Sequence, residues 1–170
     1  MMESNENYVS RAVTRSNEEL MKLGADQARY TMSHGMGGPF GAVIVKDGVI
    51  IAITANSVLK DNDPTAHAEM NAIRLACKEL GTYDLSGCEL YCTGFPCPMC
   101  MSAIMWANIK KIYVSGLPKD ADEIGFRDEF MYRFMKQNCD NADVLEIELV
   151  DRNIALDLYK EYQDNNLKMY

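Results

Sequence analysis

The sequence predicts an α/β fold in three layers, a five-stranded mixed sheet with helices on both faces, and three observations predict it. Five short β-prone runs are separated by segments of helical period. Their βαβαβ order in the middle of the chain places crossover helices against a sheet. The 170 residues, 48% of them apolar, suit one hydrophobic core, so the chain reads as a single domain over residues 1–170.

Each element has a local reason. Over residues 17–33, Leu20, Leu23 and Ala28 recur at near-helical spacing; Ser16 or Asn17 can cap the start, and the helix ends near His34 and Gly35. Residues 40–45 and 49–54 are β-rich and joined by Lys46, Asp47 and Gly48, whose Asp-Gly step signals a hairpin. Asn62, Asp63 and Pro64 supply a cap followed by proline at a first helical position, and the helix continues over residues 66–80 until Gly81 stops it. Residues 88–93 read as a strand, 96–107 as a third helix, 111–115 as a strand and 144–150 as the last strand, before a C-terminal helix from about Asn153. Residues 117–141, charged and carrying Phe126, Phe130, Tyr132 and Phe134, read as an extended loop with short helices.

Composition narrows the function. The net charge is -8, from 25 acidic and 17 basic residues, with no basic stripe beyond Lys110 and Lys111. Phosphate backbones are bound by lysine and arginine, so nucleic acid is a poor partner and a small uncharged ring a compatible one. No run approaches the roughly 18 apolar residues of a membrane span, and the polar N-terminus lacks signal character, which points to the cytoplasm. In that compartment the six cysteines are reduced thiols or metal ligands. Cys77, Cys88, Cys92 and Cys139 read as small packed thiols.

Cys97 and Cys100 form a CxxC flanked by prolines, the spacing of two ligands on one metal, and His67-Ala68-Glu69 follows Pro64-Thr65-Ala66. Both motifs begin helices, where free N–H groups and positive potential favour thiolate over thiol. His67, Cys97 and Cys100 are three zinc ligands that leave a fourth tetrahedral position open, the mark of a catalytic site. Glu69 stands close enough to move a proton. Alone, the CxxC also suits a redox pair or half of a zinc knuckle, but no second CxxC or downstream histidine completes a knuckle, and a redox pair leaves His67 and Glu69 without a role.

Together, H-x-E and P-C-x-x-C match the zinc deaminase signature. The chain resembles the cytidine-deaminase superfamily and, within it, the short bacterial guanine deaminases. The resemblance starts at about Gly37 and runs to the end. It rests on GGPFGAVIVKDG from Gly37, NDPTAHAE from Asn62, AIRLACKELG from Ala72, PCPMC from Pro96, GFRDEFMY from Gly125 and the terminal Tyr170. It implies a cytidine-deaminase-like five-stranded fold and a homodimer, whose C-terminal segment, about 153–170, covers an active site and can cross to the neighbouring subunit.

The resemblance further implies that Asn56 hydrogen-bonds a purine base and that Phe40, Ala68 and Trp106 line its slot. Asp128 would receive the purine's N–H or amino donors, and Tyr170 would close the site. One departure stands out. Relatives usually carry Glu before the Pro-Cys step, whereas this chain has Gly94 and Phe95, which removes an ion pair or changes the pocket floor. The implied reaction is zinc-dependent hydrolysis of guanine to xanthine and ammonia, with attack at C2. The rivals are adenosine in tRNA, or another base, nucleoside or aminotriazine. A non-catalytic zinc module would have no use for Glu69.

Overall fold

The structure is a computed structural model, and it describes residues 15–169. Its elements are α1 (Asn17–Ser33), β1 (Gly41–Lys46), β2 (Val49–Ala55), α2 (Val58–Asp61), α3 (Ala68–Leu80), β3 (Cys88–Cys92), α4 (Pro98–Trp106), β4 (Lys111–Val114), α5 (Pro118–Glu123), α6 (Glu129–Lys136) and α7 (Arg152–Asp164). The chain divides into two compact units, one ending at Met131 and the other beginning at Tyr132.

In the first unit, α1 begins where a capping box forms. The Glu19 amide donates to Ser16 Oγ at 3.2 Å, and the Ser16 amide donates to the Glu19 carboxylate at 2.8 Å. Asp47 and Gly48 both adopt positive φ and fold β1 back onto β2, as the Asp-Gly step predicts. The sheet order is β2-β1-β3-β4: β1 is antiparallel to β2 and β3, and β3 is parallel to β4. The sheet is therefore mixed, as expected.

The layers follow from the strand period of two. On one face of β1, Ala42 and Ile44 join Ala68, Ala72 and Ala76 of α3 and Ile104 of α4 in a buried core. On the other, Val43 and Val45 join Leu20 of α1 and Tyr91 of β3. The helix α1 sits so close to β1 that a Cβ on Gly41 would collide with the Gly24 carbonyl. Only glycine allows that approach.

Three expectations need correction. Among the described residues the sheet has four strands, not five. Residues 144–150 form no strand, although they are rich in β-prone side chains, and Leu149 is 83% exposed. Such a run becomes a strand only beside a neighbour that completes its ladder, because β-propensity is mostly a preference for a packed setting. Second, the helix read from Pro64 begins at Ala68 instead. Asn62 adopts the left-handed conformation that ends α2, and Asp63 Oδ1 accepts from the Thr65 amide at 2.7 Å and the Thr65 hydroxyl at 2.8 Å. This local side-chain turn competes with the helix and delays it. Third, Cys139 is exposed in a positive-φ turn rather than packed; Cys88 and Cys92 are buried, and Cys77 partly so.

The second unit holds the end of α6 and α7, where Lys160 pairs with Asp164 and the Tyr162 hydroxyl donates to the Lys168 carbonyl. Residues 117–141 carry the short helices α5 and α6, as the sequence suggests. Among the described residues, no helix is long and apolar enough to cross a membrane.

Candidate active site

Two helix starts build the centre. His67 is the N-cap of α3 and Cys97 the N-cap of α4, both with extended backbone and neither using its side chain to cap. Pro98 follows Cys97 inside the first turn, where a missing N–H does no harm. Both side chains are thus left for another purpose.

The sulfurs of Cys97 and Cys100 each lie 3.6 Å from His67 Nδ1, and the three donor atoms fall within 4.8 Å of one another. Two soft thiols and an imidazole gathered in one cluster fit zinc. Cys100 is buried, while His67 and Cys97 are partly buried. The Cys97 thiol is lowered to about 4, chiefly through its hydrogen bond with Cys100 and then through His67. The Cys100 thiol is pushed up by that same bond and by burial. The hydrogen bond with Cys97 in turn raises His67.

The loop ahead of His67 is firmly tied. Asn71, one turn along α3, donates its side-chain amide to the Ala55 carbonyl at 3.0 Å, to Ser57 Oγ at 2.9 Å and more weakly to the Ala66 carbonyl at 3.4 Å. It links the end of β2 to the residue before the ligand. Arg74 adds a 3.0 Å bond to Thr65 Oγ1. Neither residue stood out in the sequence, since these bonds arise only once the loop is folded.

Glu69 lies in the first turn of α3 and is only 7% exposed. Burial raises its carboxyl above the ordinary range, opposed by its backbone N–H and by His67. A buried acid of raised pKa beside the ligands can both take and return a proton.

The other predicted residues divide. Asn56, at the end of β2, is buried, and its Oδ1 accepts from the amides of Gly38 at 3.1 Å and Val58 at 3.2 Å. A Cβ on Gly37 would strike Asn56, so glycine there makes room for it. Ala68 is wholly buried at the first position of α3. Asp128 is partly buried, and its carboxyl is raised first by burial and then by the charge of Cys97, which places it in the field of the ligands. Phe40 sits partly buried just ahead of β1. Trp106, by contrast, ends α4 with 73% of its surface exposed. Tyr170 lies outside the described residues.

The structure adds Phe126, whose ring meets Phe40 edge-on with centroids 4.9 Å apart and planes at 88°. The sequence offered Phe126 as one aromatic of the GFRDEFMY stretch, two places before Asp128, without a partner for it. Gly94, from the Gly-Phe departure, also faces Phe40: a Cβ there would come 3.0 Å from the ring. Phe95 itself is partly exposed. The departure thus bears on the aromatic wall.

Comparison with known proteins gives this geometry a context. The model of the cytidine and deoxycytidylate deaminase zinc-binding region matches residues 14–116. The chain is 51% identical to the guanine deaminase of Bacillus subtilis over 118 residues, covering 69% of this chain and 76% of that protein. The solved structure of Bacillus subtilis guanine deaminase superposes with a TM-score of 0.85 at 41% identity, over 92% of this chain and 99% of that one. A tRNA-specific adenosine deaminase of Aquifex aeolicus is 46% identical over 102 residues, covering 60% of this chain and 67% of that protein. With its His67, Cys97 and Cys100 cluster at two helix starts, the chain belongs to the cytidine and deoxycytidylate deaminase zinc-binding family.

Proposed function

We propose that this protein is a guanine deaminase that hydrolyses guanine to xanthine and ammonia. The observation that carries the reading is Glu69, buried against a His67, Cys97 and Cys100 cluster in a fold that superposes on a guanine deaminase over 92% of the chain. The similarity to a tRNA-specific adenosine deaminase spans only 60% of the chain, and a net charge of -8 disfavours a phosphate backbone.

His67, Cys97 and Cys100 hold the metal. Zinc, when bound there, supplies Lewis-acid activation of water at neutral pH. Glu69 takes the water's proton as a C–O bond forms at C2 of the ring, and passes it to the adjoining ring nitrogen. As the C–N bond breaks, Glu69 moves a second proton to the departing amine, which leaves as ammonia. The raised pKa that burial gives Glu69 suits both duties.

The remaining residues hold the base. Because backbone amides already occupy Asn56 Oδ1, its NH2 group is the part that donates to a purine acceptor. Asp128 accepts from the purine's N–H and amino groups, Phe40 and Ala68 line the slot, and Trp106 contributes from the end of α4. The C-terminal segment from about residue 153, ending in Tyr170, covers an active site in a cytoplasmic homodimer, its own or the neighbour's. The exposed apolar Ile154 and Leu158 of α7 support that reading, since they offer an apolar face to another surface. The experiment is ammonia release from guanine, adenine, cytosine and their nucleosides. Guanine should be the clear winner, and a preference for adenine, adenosine or a pyrimidine contradicts the reading.

A further inference from the structure

We propose that Phe126 is a positioning residue for purine selectivity: edge-on against Phe40 and beside Gly38, it fastens the loop that carries Asp128 to the wall that carries Asn56. The inference rests on the guanine reading above and extends it to a residue that need not touch the base.

Phe40 is the junction. Its carbonyl accepts from the Asn56 amide at 2.9 Å, so its backbone holds one base-reading residue. Its ring meets Phe126, and Phe126 stands two residues before Asp128, the other base-reading residue. A displacement of Phe126 would therefore move Asp128 relative to Asn56.

Two glycines give the aromatic pair its room. A Cβ on Gly38 would lie 3.0 Å from the tip of the Phe126 ring and 3.2 Å from Phe40, and a Cβ on Gly94 would lie 3.0 Å from the other edge of Phe40. Any side chain there would have to push a ring aside. Gly94 thereby acquires a role in a stretch where an acid is the usual neighbour of the Pro-Cys step.

The loop is also tied at each end: the Asp128 carbonyl accepts from the Met131 amide at 3.0 Å on the α6 side, and Arg127 pairs with Asp122 on the α5 side. The Phe126 amide donates to the Ala121 carbonyl at 3.0 Å, and Gly125 turns the chain with positive φ. Phe126 remains 46% exposed, so its burial adds little to the core. An aromatic side chain spent on one oriented edge-to-face contact fixes geometry more than stability.

The test is a double-mutant cycle on guanine kcat/KM with F126A, D128N and the pair, each carried alongside zinc content and thermal midpoint. F126A should retain zinc and fold and lose about tenfold in kcat/KM, or about 1.4 kcal/mol. Adding F126A to D128N should cost much less than tenfold more, because the carboxylate it positions is already gone. F126Y, which keeps the ring, should restore most of the wild-type rate. Should F126A fail to fold, F126L replaces it in the same cycle. Additive losses, or an F126A rate equal to wild type, overturn the inference while the guanine reading stands. A zinc-loaded wild-type protein that does not turn over guanine overturns the reading itself, and this inference with it.

Discussion

Residues up to Ile109 and residues 132–169 are built on different terms. Every buried described residue lies at or before Ile109, whereas none in the later segment is buried, although that segment is rich in Ile, Leu and Val. Ile44 and Leu149 are both apolar side chains in β-prone runs; one has no exposed surface and the other is 83% exposed. Residue type does not separate them. Ile44 has strands on both sides and helices above, and Leu149 has no ladder partner among the described residues. The difference teaches where the chemistry must sit: His67, Glu69, Cys97 and Cys100 all belong to the region whose backbone is fixed by packing on two faces.

The sharpest break of that comparison is at a metal ligand. Replacing Cys100, buried and shared by the cluster, with Ser should abolish zinc retention and with it deamination down to background, read by elemental analysis and ammonia release. Retained zinc and turnover would remove Cys100 from the centre. Next in size, E69Q should keep zinc and thermal midpoint but lower kcat by on the order of 10²-fold or more, because the proton carrier is lost while its shape remains. A near-normal kcat would leave Glu69 a structural acid.

Smaller effects separate stability from activity. Deleting residues 167–170 should leave zinc content and midpoint unchanged yet reduce guanine turnover by roughly tenfold, about 1.4 kcal/mol, if the tail covers a site. Full activity would mean that the end of the chain covers nothing. G41A should act in the opposite sense, destabilising the first unit by about 1–3 kcal/mol or more through the collision with the Gly24 carbonyl, as measured by denaturant unfolding. Mildest of all, Leu149→Ser should shift stability by no more than about 0.5 kcal/mol, since an exposed side chain has little burial to lose. A large loss there would show that the later segment is packed after all.

The site was more legible than the fold around it. The residues of the metal cluster and Glu69 stand out because metal and proton chemistry admit few residue types at few spacings, but that His67 and Cys97 are the N-caps of α3 and α4 emerges only from the structure. The start of α1 was legible from Ser16, and the hairpin from Asp47 and Gly48, since both are decided within a few residues. The start of α3 was not, because Asp63 spends its side chain on Thr65 instead of capping a helix at Pro64. A fifth strand over residues 144–150 failed for lack of a partner, which no local pattern reports. Phe126 was hidden for a related reason: its contact with Phe40 joins positions far apart in the chain.

The central claim is that guanine hydrolysis occurs at the His67, Cys97 and Cys100 centre and depends on its metal. Protein stripped with a chelator and reloaded with measured amounts of zinc gives the most direct test, with xanthine formation followed at each occupancy. The account predicts a rate proportional to bound zinc, saturating at about one ion per chain and falling to background at zero. Turnover by zinc-free protein, or no xanthine from the fully loaded one, would contradict it.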